Sequence, residues 1–129
     1  MIGIDTNVLV RHLTQDDPAQ AATASRLIDK ASAGGLFIST IVLCETVWVL
    51  SDAYGLKRKQ LEDVLEKILL SEQFACENKD ALWLALDDFR RGKGDFADYV
   101  IARHAHSAGC THTVTFDRAL KNDRLFQVL

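Results

Sequence analysis

Four short acidic motifs follow one another along the chain: Ile4-Asp5-Thr6-Asn7, Cys44-Glu45-Thr46, Asp95-Phe96-Ala97-Asp98 and Thr115-Phe116-Asp117. Each puts a carboxylate where a folding chain has little reason to want one. Asp5 ends a short apolar run, and Glu45 interrupts a long one. Asp98 leads into an apolar stretch, and Asp117 follows a β-branched run. If one fold gathers these groups, they repel one another unless a cation lies among them. Carboxylates holding a divalent ion are a common device for cleaving phosphodiesters.

Each acid also has an explanation from folding alone. Asp5 can cap a helix over Thr6–Leu13. Asp95 as N-cap and Asp98 three residues later form a capping-box variant, favoured by the helix dipole. Asp117 can close a turn before a short helix over Arg118–Asn122. Glu45 is the hardest to dismiss, because the run Ile41–Leu50 is apolar nearly all round and predicts a largely buried helix. An unpaired buried carboxylate costs several kcal/mol. Glu45 therefore needs an Arg partner, a cation or a solvated cleft.

The elements that must position these residues can be read from periodicity and punctuation. Residues 2–4 read as a short buried strand ending at Asp5. Asp17-Pro18 marks a helix start, with Pro18 at the first helical position, and Gly34-Gly35 stops that helix. Leu36–Ile38 is a second strand, and Ser39 or Thr40 caps a helix over Ile41–Ala53. Lys57–Leu70 is amphipathic, with Leu61, Val64, Leu65, Ile68 and Leu69 at helical spacing. Phe74–Cys76 is a third strand, Lys79–Arg91 a helix, Gly92-Lys93-Gly94 a loop, and Asp95 opens a helix ending near Gly109. Thr113–Thr115 and Phe126–Leu129 are the last strands. This alternation predicts a single α/β domain over residues 1–129, with a mainly parallel central sheet and helices on both faces in three layers. In such a sheet, ligand sites form at the carboxyl ends of the strands. The four acidic motifs are expected to converge on that edge.

Composition sets the outer limits. The chain has 129 residues, 48% hydrophobic and 26% charged, which suits one domain with one core. Its net charge of −3 argues at first against a nucleic-acid partner. A bound divalent ion would cancel much of that acidity locally, leaving basic clusters at Lys57-Arg58-Lys59 and Arg90-Arg91-Lys93. Cys44, Cys76 and Cys110 are odd in number and widely spaced, so they read as buried free thiols rather than a zinc site or disulfide framework. The start Met-Ile-Gly-Ile-Asp lacks a leader pattern, and no apolar run is long enough to span a bilayer. A cytoplasmic, soluble protein is expected.

Other chemistries fit less well. His12, His104, His106 and His112 would suit a metal-free ribonuclease, but none pairs with an obvious nucleophile. Trp48 and Trp83 fall at helical core positions and read as packing or interface residues. A receiver-type phosphoacceptor domain would want paired acids after the first strand and a lysine after a late one, and Asp5-Thr6-Asn7 and Thr115-Phe116-Asp117 supply neither. A non-catalytic RNA- or protein-binding module on the same scaffold is the alternative that remains.

Taken in order, Asp5-Thr6-Asn7-Val8-Leu9-Val10, the Glu45 helix, Asp95-Phe96-Ala97-Asp98 and Val114-Thr115-Phe116-Asp117 resemble the PIN-domain ribonucleases. With the continuation Arg11 to Pro18 they resemble more closely the VapC-type toxins of toxin–antitoxin pairs. Each motif is weak alone; four in this order are specific, and the resemblance runs from Asp5 to the last strand. It implies an endoribonuclease dependent on Mg²⁺, with Mn²⁺ as substitute. Asp5, Asp98 and Asp117 would hold the metal with Glu45 assisting, and Asp95 would be a fifth acid beside them. Thr6, Asn7 and Thr115 would support them. The resemblance implies in-line hydrolysis leaving 5′-phosphate and 3′-hydroxyl ends, an RNA substrate, a cognate antitoxin protein and a homodimer. Arg90, Arg91 and Lys93 are the first candidates for contacts to the RNA backbone.

Overall fold

The computed structural model describes all residues from Met1 to Leu129. Its elements follow the order β1 (Ile2–Gly3), α1 (Thr6–Thr14), α2 (Pro18–Lys30), β2 (Leu36–Ile38), α3 (Thr40–Asp52), α4 (Arg58–Leu70), β3 (Phe74–Cys76), α5 (Lys79–Arg91), α6 (Phe96–Ser107), β4 (Thr113–Thr115), a 3-10 turn (Arg118–Leu120) and β5 (Phe126–Val128). The α/β class and the parallel pairing are as expected. The strands form two hydrogen-bonded ladders, not one: β1-β2-β3 and β4-β5. Packing likewise groups the chain into two compact units, Met1–Glu77 and Asn78–Leu129. Strands of two or three residues carry too little side-chain pattern to announce which neighbours they pair with.

In the first unit, Ile2 pairs with Leu36, and Leu36 with Phe74, all in parallel register. Leu36 and Ile38 are buried and Phe37 less so, the alternation of a pleated strand. The Ile4 amide donates to the Phe37 carbonyl at 3.1 Å, extending the ladder to the residue before Asp5. β1 is less buried than the sequence suggests. Ile2 is 58% exposed and only Ile4 is sealed; the two share a face of the strand, but Ile2 lies at the outer end of an edge strand, where fewer neighbours cover it. Helix starts follow the capping chemistry: the Asp17 side chain accepts from the Gln20 amide with Pro18 in the first turn, and Ser39 accepts from the Val42 amide.

α3 is not buried all round. Leu43, Thr46, Val47 and Leu50 are buried, but Ile41, Glu45 and Trp48 are exposed, at spacings of four and three that form one outward stripe. Trp48 is 51% exposed and so is not a core residue of this fold. Composition alone overstates burial here, because an apolar helix can run out of neighbours before it runs out of apolar faces.

In the second unit, α5 and α6 pack together through the edge-on rings of Phe89 and Phe96, with centroids 6.0 Å apart. Across the same interface, Arg103 donates from Nε and Nη2 to both oxygens of Asp88, at 2.7 and 2.8 Å, and Asp88 is 8% exposed. Tyr99 is fully buried, its ring edge-on to Phe126 and its hydroxyl accepting from the Gly94 amide at 2.9 Å. β4 and β5 pair in parallel from Thr113–Phe126 to Thr115–Val128. The three cysteines are free, as expected, though Cys110 is exposed and only partial cover protects Cys44 and Cys76. Burial pushes the Cys44 thiol up to about 11, so it stays protonated and unreactive near neutrality.

Candidate metal and nuclease site

Asp5 stands at the carboxyl end of β1 and caps α1. Its Oδ1 accepts from the amides of Asn7 at 3.0 Å and Val8 at 3.3 Å. The folding explanation of Asp5 is thus real, but it uses one oxygen and leaves Oδ2 without a protein donor. Thr6, the first residue of α1, donates its hydroxyl to Oε1 of Glu45 at 3.3 Å. This bond ties the start of α1 to the exposed stripe of α3. Glu45 has no arginine partner. It faces solvent, which resolves the apparent cost of its place in an apolar run. Asn7 is exposed, and its amide, not its side chain, is what supports Asp5.

The second unit carries the other three acids. Asp95 is the N-cap of α6, and Oδ2 of Asp98 accepts from the Asp95 amide at 3.0 Å, the reach-back half of a capping box. Asp117 caps the 3-10 turn through Oδ1, which accepts from the Ala119 amide at 2.9 Å, and Thr115 Oγ1 accepts from the Asp117 amide at 3.1 Å. Asp98 is half-buried and its carboxyl is raised above the usual carboxylate range. Burial is the main cause, the Asp95 amide opposes it, and the nearby charges of Asp95 and Asp117 add to it. The charges of Asp95 and Asp117 thus both act on Asp98.

The structure therefore joins Asp5 to Glu45 through Thr6, joins Asp98 to Asp95 through the Asp95 amide, and brings the charge of Asp117 to bear on Asp98. No three His, Cys, Asp or Glu side chains make a ready metal-holding group. The donor chemistry still suits a hard divalent ion. Asp5 and Asp117 each keep an oxygen not spent on capping, and Asp98 sits in a like-charged environment that a cation would relieve.

The basic candidates separate. Arg91 is paired with Asp87 at 2.7 Å, and Arg90 is exposed on the same helix end. Lys93 is exposed and lines a concavity of about 380 Å³ with Arg118 and Lys121. Reading the sequence missed three features: the Asp88–Arg103 pair, the Tyr99 anchor, and the two cations just past Asp117. The signal for the last was present, since Arg118 directly follows a motif acid. The histidines do not join the acids by hydrogen bond: His12 contacts Ser25 and His112 contacts Thr111.

The sequence matches the PIN domain family over residues 2–123, which takes in all five acids. The chain belongs to the PIN-domain family. It is also similar to a VapC ribonuclease of Aquifex aeolicus (strain VF5), 28% identical over 120 residues that cover 92% of this chain and 88% of that protein. No helix of this PIN-domain chain is long and apolar enough to cross a membrane.

Proposed function

We propose that the protein is a divalent-metal-dependent endoribonuclease that acts as the toxin of a toxin–antitoxin pair. The observation that carries this reading is the Asp98 environment: a half-buried carboxyl, raised by burial and by Asp95 and Asp117, inside a PIN-domain sequence whose similar protein is a VapC ribonuclease. A carboxyl perturbed by burial and by like charges is a candidate for a functional site, and a cation would relieve the repulsion.

On this reading Asp5, Asp98 and Asp117 hold Mg²⁺, directly or through water, with Glu45 assisting and Asp95 mainly orienting Asp98. Mn²⁺ serves in its place. The ion, when bound, lowers the pKa of water and neutralises charge on the phosphate. The chain's own part is orientation. The amides of Asn7 and Val8 fix the Asp5 carboxylate, the Asp95 amide fixes Asp98, the Ala119 amide fixes Asp117, and the Thr6 hydroxyl holds Glu45. Glu45, exposed and held at one oxygen, is free to accept a proton from attacking water. Arg90, Arg91 and Lys93 are proposed to touch the RNA backbone.

The partner assignments have two physical supports. A mostly apolar groove of about 630 Å³ runs between α1 and α2, lined by Val8, Ala24 and Leu27 and opening at Asp5. An antitoxin segment lying there would bring a basic side chain to Asp5. Ile41 and Trp48, exposed on α3, give apolar surface for a second copy of the chain.

The test is cleavage of total RNA by the free protein with Mg²⁺ and with chelator. Cleavage in Mg²⁺, lost in chelator and in Asp98→Asn, is the expected result. Cleavage that survives chelation, or an unchanged rate in Asp5→Asn, would overturn the metal reading.

A further inference from the structure

The concavity beside Gly92 is lined by Lys93, Arg118 and Lys121 together with Arg91 and Asp123. Lys93, Arg118 and Lys121 form no ion pair within the chain, whereas Arg91 is committed to Asp87. Three unneutralised cations around one notch of about 380 Å³ concentrate positive potential there. Asp123 offsets only one of the three charges, and its own charge is shared with Arg103.

The floor of the notch is built for close approach. A Cβ on Gly92 would strike the Tyr99 hydroxyl, and a Cβ on Gly94 would come within 2.6 Å of Leu120 Cδ2. Tyr99 is fully buried and holds the Gly94 amide, so the loop carrying Lys93 is pinned and not free to drift. The Leu120 packing fixes the turn that carries Arg118. A surface lysine on a loose loop is a solvated charge; these cations stand on a backbone locked by Tyr99 and Leu120.

We propose that this notch binds a backbone phosphate of single-stranded RNA flanking the scissile bond, with Lys93, Arg118 and Lys121 as its ligands. The inference rests on the nuclease reading for its choice of ligand. It is supported by continuity of the chain: Arg118 directly follows Asp117, and Lys93 lies two residues before Asp95. Arg118 and Lys121, missing from the sequence-based set, are central to it.

The test is fluorescence anisotropy of a labelled single-stranded RNA decamer in EDTA, titrated over a range of salt. Arg118→Gln/Lys121→Gln should weaken binding on the order of tenfold at low salt and flatten the slope of log K against log salt by about 0.7, one phosphate contact on a single strand. Lys59→Gln, which removes a charge paired with Asp63, should leave the slope as it is. Circular dichroism checks that the variants, altered only at exposed positions, remain folded. An unchanged slope in the double variant, or equal flattening by Lys59→Gln, overturns the proposal. So does labelled poly-glutamate that binds as tightly as RNA and suffers the same loss, since the notch would then dock an acidic protein. Cleavage of total RNA in Mg²⁺ is scored separately. Cleavage with an unaltered salt slope refutes the notch alone, and a slope that responds without any cleavage refutes the nuclease reading alone.

Discussion

At the scale of single residues, Asp98 and Thr6 make opposite predictions. Asp98 is held above the usual carboxylate range mainly by burial. Its folded pKa therefore exceeds its unfolded one, and the folded state binds more protons in the window between them. Stability must fall as pH rises through that window, and the charged form is a burden at neutrality. In chelator, Asp98→Asn should raise Tm at pH 7 and remove this part of the pH dependence, because an amide oxygen can still accept from the Asp95 amide. With Mg²⁺ at about a hundred times its Kd, the wild type should gain about 2.7 kcal/mol and the variant should gain nothing. Thermal melts with and without Mg²⁺ read both effects; a variant less stable in chelator would remove the case for Asp98 as a strained ligand. Thr6→Val deletes the hydroxyl that holds Glu45 at 3.3 Å. It should leave stability near that of the wild type and raise the Mg²⁺ concentration for half-maximal cleavage about tenfold, as loss of a supporting hydrogen bond does. A Mg²⁺ titration of the cleavage rate checks it.

At the scale of elements, what the sequence announces depends on where the information is stored. Helix starts lie within a residue or two of their expected places because the capping residues Asp17, Ser39 and Asp95 act locally. Asp5, Asp95, Asp98 and Asp117 were legible for the same reason, since each sits at a cap or in a first turn, whereas Glu45 stood out only because it interrupts an apolar helix. The outward stripe of α3 was not legible, since whether Ile41 and Trp48 find neighbours is decided by packing, not by periodicity. Nor was the buried pair between α5 and α6, because Asp87-Asp88 reads as two surface charges until Arg103 arrives fifteen residues later. That pair carries a prediction. Asp88→Ala leaves Arg103, whose side chain is 14% exposed, without its partner and should cost about 3–5 kcal/mol. Replacing both, as Asp88→Leu/Arg103→Met, should recover most of that loss. Chemical denaturation of the two variants distinguishes them, and a double variant no more stable than the single would mean that the pair contributes more than the avoidance of one lone charge.

At the scale of the whole molecule, a net charge of −3 sits awkwardly with an RNA ligand. The acids proposed to hold metal supply the resolution, because their charge is the part a divalent ion would cancel. RNA affinity should then depend on the ion apart from any cleavage. With Ca²⁺, a hard oxygen-seeking cation, a labelled single-stranded decamer should bind on the order of tenfold more tightly than in EDTA at the same ionic strength. Asp5→Asn/Asp98→Asn removes two negative charges without needing an ion, so it should bind RNA in EDTA more tightly than the wild type does and respond less to Ca²⁺. Both measurements use the same anisotropy titration. If Ca²⁺ left wild-type affinity unchanged, the acids would not face the RNA, and the basic notch would have to overcome the chain's negative charge by itself. If instead the double variant matched the wild type in EDTA yet ignored Ca²⁺, the ion would act by ordering the site and not by neutralising it. The two outcomes separate an electrostatic role for the metal from a structural one before any bond is cut.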